Sequence, residues 1–355
     1  MMAENNFFAD AIKGLNNEYA GVAANGVSGD ITGYIDTGCY ILNAQLCGDI
    51  YGGMASNKAL GLAGESSTGK TFVALSIVKH FLDSNPNGGV MYFESESALS
   101  KSSLVERGID VNRTVIIPVS TIQEFRTQAL HVLDNYEKLK AKDRPPMLFV
   151  LDSLGQLSTT KEVEDSAAGK ETRDMTKAQL IKACFRVLDL KMGKLNIPMI
   201  VTNHIYAVIG AYMPTKEMSG GSGLGYAADQ VLFISKSKDR NSAKDVIGNI
   251  LTFRLQKSRL TKEQSKTECR LSFTDGLNRY YGLLDIAVKY GIVKKVGNKY
   301  FFADDLSAME NAVYKNPTKF FTDDVLAKIN DACKKEFCYG KQDDNINEDE
   351  ELIDE

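Results

Sequence analysis

No apolar stretch of this 355-residue chain approaches the ~20 residues that a membrane-spanning helix needs, and no charged, apolar, small-residue leader opens it. Neither a transmembrane segment nor a secretory signal is expected, and the setting that follows is cytoplasmic, with no membrane partner. The six cysteines, Cys39, Cys47, Cys184, Cys269, Cys333 and Cys338, contain no Cys-x-x-Cys pair. The three histidines, His80, His131 and His204, complete no zinc site with them at a recognised spacing. Buried, reduced thiols are expected in place of a disulfide framework or a structural metal. There is no internal repeat, and a hydrophobic content of 43% excludes disorder for most of the chain. The length allows one large α/β domain with additions, or two domains.

Bases are absent where acids crowd. The last thirteen residues, Asp343 to Glu355, hold eight acids and no base, so without them the formal net charge of −4 becomes +4. A mildly basic body can meet a polyanion while the tail competes for the same surface; a solvated, disordered terminus is the plainer reading.

Gly64-Glu65-Ser66-Ser67-Thr68-Gly69-Lys70-Thr71 is a complete G-x-x-x-x-G-K-T phosphate-binding loop, and it follows the apolar run Ala59 to Ala63. A nucleoside triphosphate needs many donors around its phosphates. A turn with Gly64 and Gly69 can aim successive backbone N–H groups inward, Lys70 adds a point charge, and the Thr71 hydroxyl suits Mg²⁺. The run from Phe72 to Val78 reads as a helix whose positive N-terminus faces the phosphates.

Downstream, apolar runs alternate with helical stretches. Strands are expected at Val90 to Phe93, Thr114 to Val119, Met147 to Leu151, Met199 to Thr202 and Gln230 to Ile234, with helices near 70–84, 121–142 and 175–195. That alternation predicts an α/β fold with a mostly parallel, twisted sheet and ligands at the carboxyl ends of its strands. Ile250 to Gln256 and Glu268 to Phe273 read as an antiparallel extension, Leu283 to Gly291 as a short helix, and about 276–340 as a small helical module. The apolar pattern Phe7 to Leu15 can dock on a neighbouring subunit or on its own domain.

Met147 to Leu151 runs into Asp152, the form of a strand whose terminal acid holds Mg²⁺ opposite Thr71. The strand at Val90 runs into Glu94-Ser95-Glu96, where either carboxylate can serve as the base for an attacking water and the other as a structural acceptor. The strand at Ile200 ends at His204, a polar tip placed to sense a γ-phosphate.

The order of these motifs, the phosphate loop, Phe93-Glu94-Ser95-Glu96-Ser97-Ala98-Leu99, Leu151-Asp152-Ser153-Leu154, Thr202-Asn203-His204 and Gly220-Gly221-Ser222-Gly223, resembles the RecA-type homologous-recombination ATPases. It is most similar to the branch found in T4-like bacteriophages, as are Lys161 to Asp165, Asp174 to Ala178, Lys257-Ser258-Arg259 and Gly282 to Ala287. The resemblance covers roughly 30–295.

It implies a RecA-like ATPase core at 29–275, an N-terminal oligomerisation segment at 1–28, a small C-terminal module at 276–340 and an acidic disordered tail at 341–355. It makes Glu96 the catalytic base and gives the loop residues Gly64 to Thr71 to ATP. Thr71 and Asp152 go to Mg²⁺, and His204 takes a place that RecA fills with glutamine. Lys257 and Arg259 match a basic pair that reaches a neighbouring subunit's ATP. Two DNA-binding loops are implied, at about 158–173 (Lys161, Lys170, Arg173) and 205–221 (Tyr206, Ile209, Tyr212, Gly220, Gly221). Aromatic and apolar side chains in the second can stack on bases and its glycines can offer N–H groups to phosphate; without the family, that loop reads as an active-site lid.

Where the family carries an aromatic residue that stacks on adenine, this chain has Ser100-Lys101-Ser102-Ser103. The activity implied is ATP-dependent pairing and strand exchange by a filament on single-stranded DNA. Its partners are homologous duplex, further copies of the chain, and single-strand-binding and loading proteins, in the host cytoplasm if phage-encoded. A ring helicase and a non-catalytic recombination mediator are the alternatives.

Overall fold

Strands that are apolar at nearly every position must be covered on both faces. That holds for the central strands in the computed structural model, which describes residues 11, 12, 15, 20, 22–27, 29–170, 174–207, 216–221, 223–241, 243–303 and 305–340; the edge strand Thr114–Pro118 leaves Val115 and Ile116 exposed. The chain divides into two units at Ile35/Asp36, Gly53/Met54 and Ser235/Lys236.

The first unit alternates strand and helix. In chain order these are β1 (Ala59–Gly64), α1 (Lys70–Ser84), β2 (Gly89–Glu94), α2 (Lys101–Glu106), β3 (Thr114–Pro118), α3 (Ile122–Glu137), β4 (Met147–Asp152), α4 (Thr160–Ala167), α5 (Lys177–Leu195), β5 (Met199–Ala207), β6 (Lys216–Met218) and the start of β7 (Gln230–Arg240). The strands lie in the order β7-β1-β5-β4-β2-β3, all parallel. β6 returns antiparallel on the far end of β5, pairing Ile205 with Met218 and Tyr206 with Glu217.

The helices form for local reasons and stay for tertiary ones. α1 buries Val73, Ala74, Ile77, Val78 and Phe81 at helical spacing. The Thr121 side chain caps α3 by accepting from Glu124 N, and α5 buries Ile181, Cys184, Phe185, Leu188, Met192 and Leu195 before Asn196 ends it in the left-handed region at φ 54°. Between the sheet and α3, the Phe93 ring meets Phe125 at 5.0 Å and Phe149 at 5.4 Å, both edge-on. Each such fully buried side chain contributes about 1.5–3 kcal/mol of transfer free energy.

Register fixes the site. Gly64 on β1 stands beside His204 on β5, and Glu94 on β2 beside Asp152 on β4, so four motif ends share one edge of the sheet. β1 and β5 are neighbours whose onward connections run in opposite directions along the sheet, β1 to β2 and β5 to β7, the crevice position where parallel sheets take ligands.

The second unit pairs β8 (Val246–Ser258) with β9 (Lys266–Ser272), antiparallel from Gly248↔Ser272 to Arg254↔Lys266, and β9 with β10 (Gly276–Leu277). The helix Tyr40–Cys47 packs on this ribbon, and Gln45 holds the end where β8 turns into β9: Nε2 donates to Phe253 O (3.3 Å) and Ser265 O (3.0 Å), and Oε1 accepts from Thr267 Oγ1 (2.7 Å). Next come α6 (Leu283–Lys289), a three-stranded antiparallel sheet of β11 (Lys294–Val296), β12 (Lys299–Ala303) and β13 (Leu306–Met309), and α7 (Asp323–Phe337). The C-terminal stretch expected as helical thus carries a sheet as well. β11 is exposed at all three positions and shows no alternation to read. Cys39, Cys184, Cys269 and Cys333 are buried free thiols, while Cys47 and Cys338 are half-buried. Among the described residues, no helix is long and apolar enough to cross a membrane.

Candidate active site

The phosphate loop closes as a left-handed cradle between β1 and α1. Ser67 and Gly69 take φ of 60° and 96°, which turns successive N–H groups toward one side. A Cβ on Gly64 would stand 2.5 Å from Thr68 Oγ1 and 2.7 Å from Ile234 O, so glycine is required there by close approach. Lys70 opens α1, is buried, and donates to the carbonyls of Gly64 (3.0 Å) and Glu65 (2.8 Å). Burial pulls its pKa below the ordinary lysine value, against the opposing pull of Glu96 and Asp152.

Asp152 ends β4 as a hub of three hydroxyl donors. Thr71 Oγ1 lies 2.8 Å and Tyr92 OH 2.7 Å from Oδ2, and Thr202 Oγ1 donates to Oδ1. Burial and the Asp152 charge raise the Tyr92 pKa well above the phenol range, so that group is a permanent donor. The adjoining Thr71 hydroxyl and Asp152 carboxylate are hard oxygen ligands of the kind Mg²⁺ takes, and the left-handed cradle beside a helix N-terminus fits a polyphosphate.

The two glutamates after β2 have different work. Glu94 Oε1 accepts from the backbone N–H groups of Glu96 (3.0 Å) and Ala98 (2.8 Å), which makes it the structural acceptor. Glu96 Oε1 receives Ser153 Oγ at 2.7 Å and His204 Nε2 at 3.2 Å. Burial alone would raise the Glu96 pKa, but the Ser153 and His204 hydrogen bonds, with the charge of Lys70, hold it below the ordinary glutamate value. A carboxylate that stays ionised beside a triphosphate cradle can take a proton from water.

His204 is also the last residue of β5 paired with β1, and the strand extends past it. Its carbonyl accepts from Ser219 N (2.8 Å), its neighbour Asn203 donates Nδ2 to Ser219 O (3.0 Å), and its ring sits 6.5 Å from that of Tyr206, which is 60% exposed. Gly155, in the turn after Asp152, is closely packed: a Cβ there would approach Asn203 Oδ1 at 3.0 Å and His204 Cδ2 at 3.1 Å, so both side chains would have to give by a few tenths of an ångström.

The other expected site residues are placed as follows. Residues 158–173, expected as a loop, contain α4, whose Thr159 and Glu162 form a capping box, while Thr159 Oγ1 donates to Asp174 at 2.8 Å. Lys161 is exposed on that helix, and Lys170 lies 4.0 Å from Asp165. Gly220 and Gly221 have φ of 75° and 73°; a Cβ on Gly220 would collide with Ile181 Cδ1 at 2.4 Å, and Gly221 N already donates to Met218 O at 3.2 Å. Arg173, Ile209 and Tyr212, like Phe7, Phe8 and the acidic tail, lie outside the described residues.

Ser100 and Ser103, which stand where the family carries an aromatic residue, form the capping box of α2. Lys257 and Arg259 belong to the second unit, at the end of β8 and the turn after it, where Ser258 N donates to Glu263 Oε1 at 3.0 Å.

Sequence reasoning missed Tyr92, Thr202, Ser153 and Gly155. Tyr92 carried a signal, because it shares a strand face with Glu94 two residues on. A hydroxyl in the otherwise apolar Ile200-Val201-Thr202 was a second.

A sequence model of the RecA N-terminal domain matches residues 22–278. The chain is 32% identical over 261 residues to the recombination and repair protein of Enterobacteria phage T4, which covers 74% of this chain and 65% of that protein. It is therefore aligned to less than two thirds of that relative's length. It is 26% identical over 274 residues to protein RecA of Cereibacter sphaeroides, covering 75% and 76% of the two chains, and 26% identical over 253 residues to protein RecA of Thermotoga maritima, covering 71% and 67%.

Proposed function

The chain belongs to the RecA family, and from that premise we propose that it is an ATP-dependent DNA recombinase that assembles as a filament on single-stranded DNA and pairs it with a homologous duplex. One observation carries the reading. His204 bonds the base carboxylate Glu96 and lies on the strand that runs into the second DNA segment.

In this mechanism the cradle from Gly64 to Thr71 holds the phosphates of ATP, Lys70 adds positive charge, and Thr71 with Asp152 holds Mg²⁺. When bound, that ion neutralises charge developing on the phosphates. Glu96 accepts the proton of the attacking water. Lys257 and Arg259 of an adjacent copy complete the charge, so hydrolysis needs the assembled filament. Lys161, Lys170 and Arg173 with Tyr206, Ile209, Tyr212, Gly220 and Gly221 are the DNA-binding residues of this reading; single-strand-binding and loading proteins are the further partners.

The decisive experiment measures ATP hydrolysis with and without long single-stranded DNA and images the same preparations by electron microscopy, with Lys70→Ala as the blank. Stimulated turnover on helical filaments supports the recombinase. Hydrolysis by closed rings supports a helicase, and neither filaments nor stimulation supports a mediator.

The link through His204 has its own test. His204→Ala is expected to cut the ratio of DNA-stimulated to DNA-free turnover by roughly 5- to 150-fold, the range of a typical coupling free energy. An unchanged ratio, together with unchanged ATP dependence of single-strand affinity, would remove His204 from the link.

A further inference from the structure

The two donors on Glu96 come from elements of different kinds. His204 lies where β5 leaves the parallel sheet for its hairpin with β6, whereas Ser153 follows the last residue of β4, one of the central strands. Ser153 is fully buried, and its main chain is fixed on both sides: its N–H donates to Ser95 Oγ at 2.8 Å, and its carbonyl accepts from the same hydroxyl at 2.9 Å. Its side chain is committed elsewhere, to Glu96 Oε1 at 2.7 Å. A buried hydroxyl must find an acceptor, and one donated to a carboxylate is among the stronger hydrogen bonds a protein makes.

We infer that Ser153 is a positioning residue for the hydrolytic carboxylate: it tethers Oε1 of Glu96 to the rigid sheet, so that Oε2 keeps its lone pairs for the water. The inference rests on the ATPase reading above. It separates two roles that share one oxygen, because Ser153 orients the base in every state, while His204 connects it to the DNA segment. A carboxylate free to swing loses the alignment on which proton transfer depends, and small misplacements of this kind cost up to about a hundredfold in rate.

The test uses the full chain, with ATP hydrolysis followed at saturating single-stranded DNA and without DNA. Ser153→Ala leaves the main-chain bonds to Ser95 available, and Ser153→Cys keeps the volume but offers only a weak S–H donor. Both variants are expected to lose kcat by on the order of tenfold to a hundredfold with KM for ATP little changed, and by the same factor with and without DNA. In a Glu96→Gln background, Ser153→Ala should slow the residual rate no further and leave ATP affinity as it is.

A Cys variant with wild-type turnover would assign Ser153 to packing alone. So would a further loss in the Glu96→Gln background, or a raised KM with kcat retained. Were the wild-type enzyme to hydrolyse ATP without responding to single-stranded DNA, the recombinase reading would fail, and the Ser153 comparison would still be decided on the DNA-free rate.

Discussion

Glu96→Gln is expected to lower kcat for ATP hydrolysis by roughly 10²- to 10⁴-fold, the contribution of a positioned general base, while ATP still binds. The amide keeps the shape of the side chain and an oxygen for the Ser153 hydroxyl, which stands 2.7 Å from Glu96 Oε1; what it cannot do is take a proton. Single-turnover phosphate release measures the first effect and equilibrium nucleotide binding the second. A variant that binds ATP and hydrolyses it at the wild-type rate would move the base elsewhere, and Glu94 is a poor substitute because its Oε1 is occupied by two backbone N–H groups.

The pH dependence follows from the same contacts. Burial raises the Glu96 pKa, and the hydrogen bonds from Ser153 and His204 with the Lys70 charge outweigh it, so the folded-state value is depressed. For a depressed carboxylate, the stabilising contribution is fully present above the unfolded-state pKa and is lost as pH falls through the folded-state value. The base is therefore ionised throughout the neutral range. Its acid limb in a profile of kcat/KM against pH should lie below the ordinary glutamate range, and Glu96→Gln should abolish that limb.

The parts of this site that were legible in the sequence are those whose partners are close in the chain. Lys70 bonds carbonyls five and six residues before it, and the glycines that let the loop turn stand in the motif itself. Glu96 and Asp152 were placed by the rule that ligands gather at the carboxyl ends of parallel strands. The choice between Glu94 and Glu96 depended on which of them the backbone after β2 satisfies, and strand spacing alone leaves both open. The donors on Asp152 come from 81, 60 and 50 residues away, and no local pattern encodes such a convergence.

Three features of the fold escaped the sequence reading for physical reasons. Thr159 and Glu162 spell a helix start, and α4 follows them; expecting a loop by analogy set that signal aside. The helix Tyr40–Cys47 buries residues on all sides, including Tyr40, Ile41, Leu42, Ala44 and Leu46, so no apolar stripe indicated that it belongs with β8 and β9. The sheet among the helices of the C-terminal stretch was not legible because strands as short as β11 fall below the length at which period-two alternation can be detected.

Asp152 carries the second large expected effect, because on the proposed mechanism it serves the metal as well as the fold. Asp152→Ala removes the acceptor of Tyr92, which is fully buried, and of Thr202, which is fully buried as well. A buried donor left unmatched costs about 1–3 kcal/mol, and relief of a buried negative charge offsets part of the sum. A net destabilisation of about 2–4 kcal/mol in denaturant unfolding is expected, against about 1 kcal/mol for Asp152→Asn, whose amide oxygen still accepts one bond.

Both variants should lose the Mg²⁺-dependent part of the thermal stabilisation that ATP gives by mass action, and with it turnover. The asymmetry of hydrogen-bond energetics supplies the sharper check. Tyr92→Phe removes a satisfied donor in the wild-type protein and an orphaned one in Asp152→Ala, so it should destabilise the first and be neutral or stabilising in the second. Equal costs for Tyr92→Phe in the two backgrounds would mean that the phenol finds another acceptor when Asp152 is gone, and the hub would then be a shared contact of the nucleotide site without being its structural keystone.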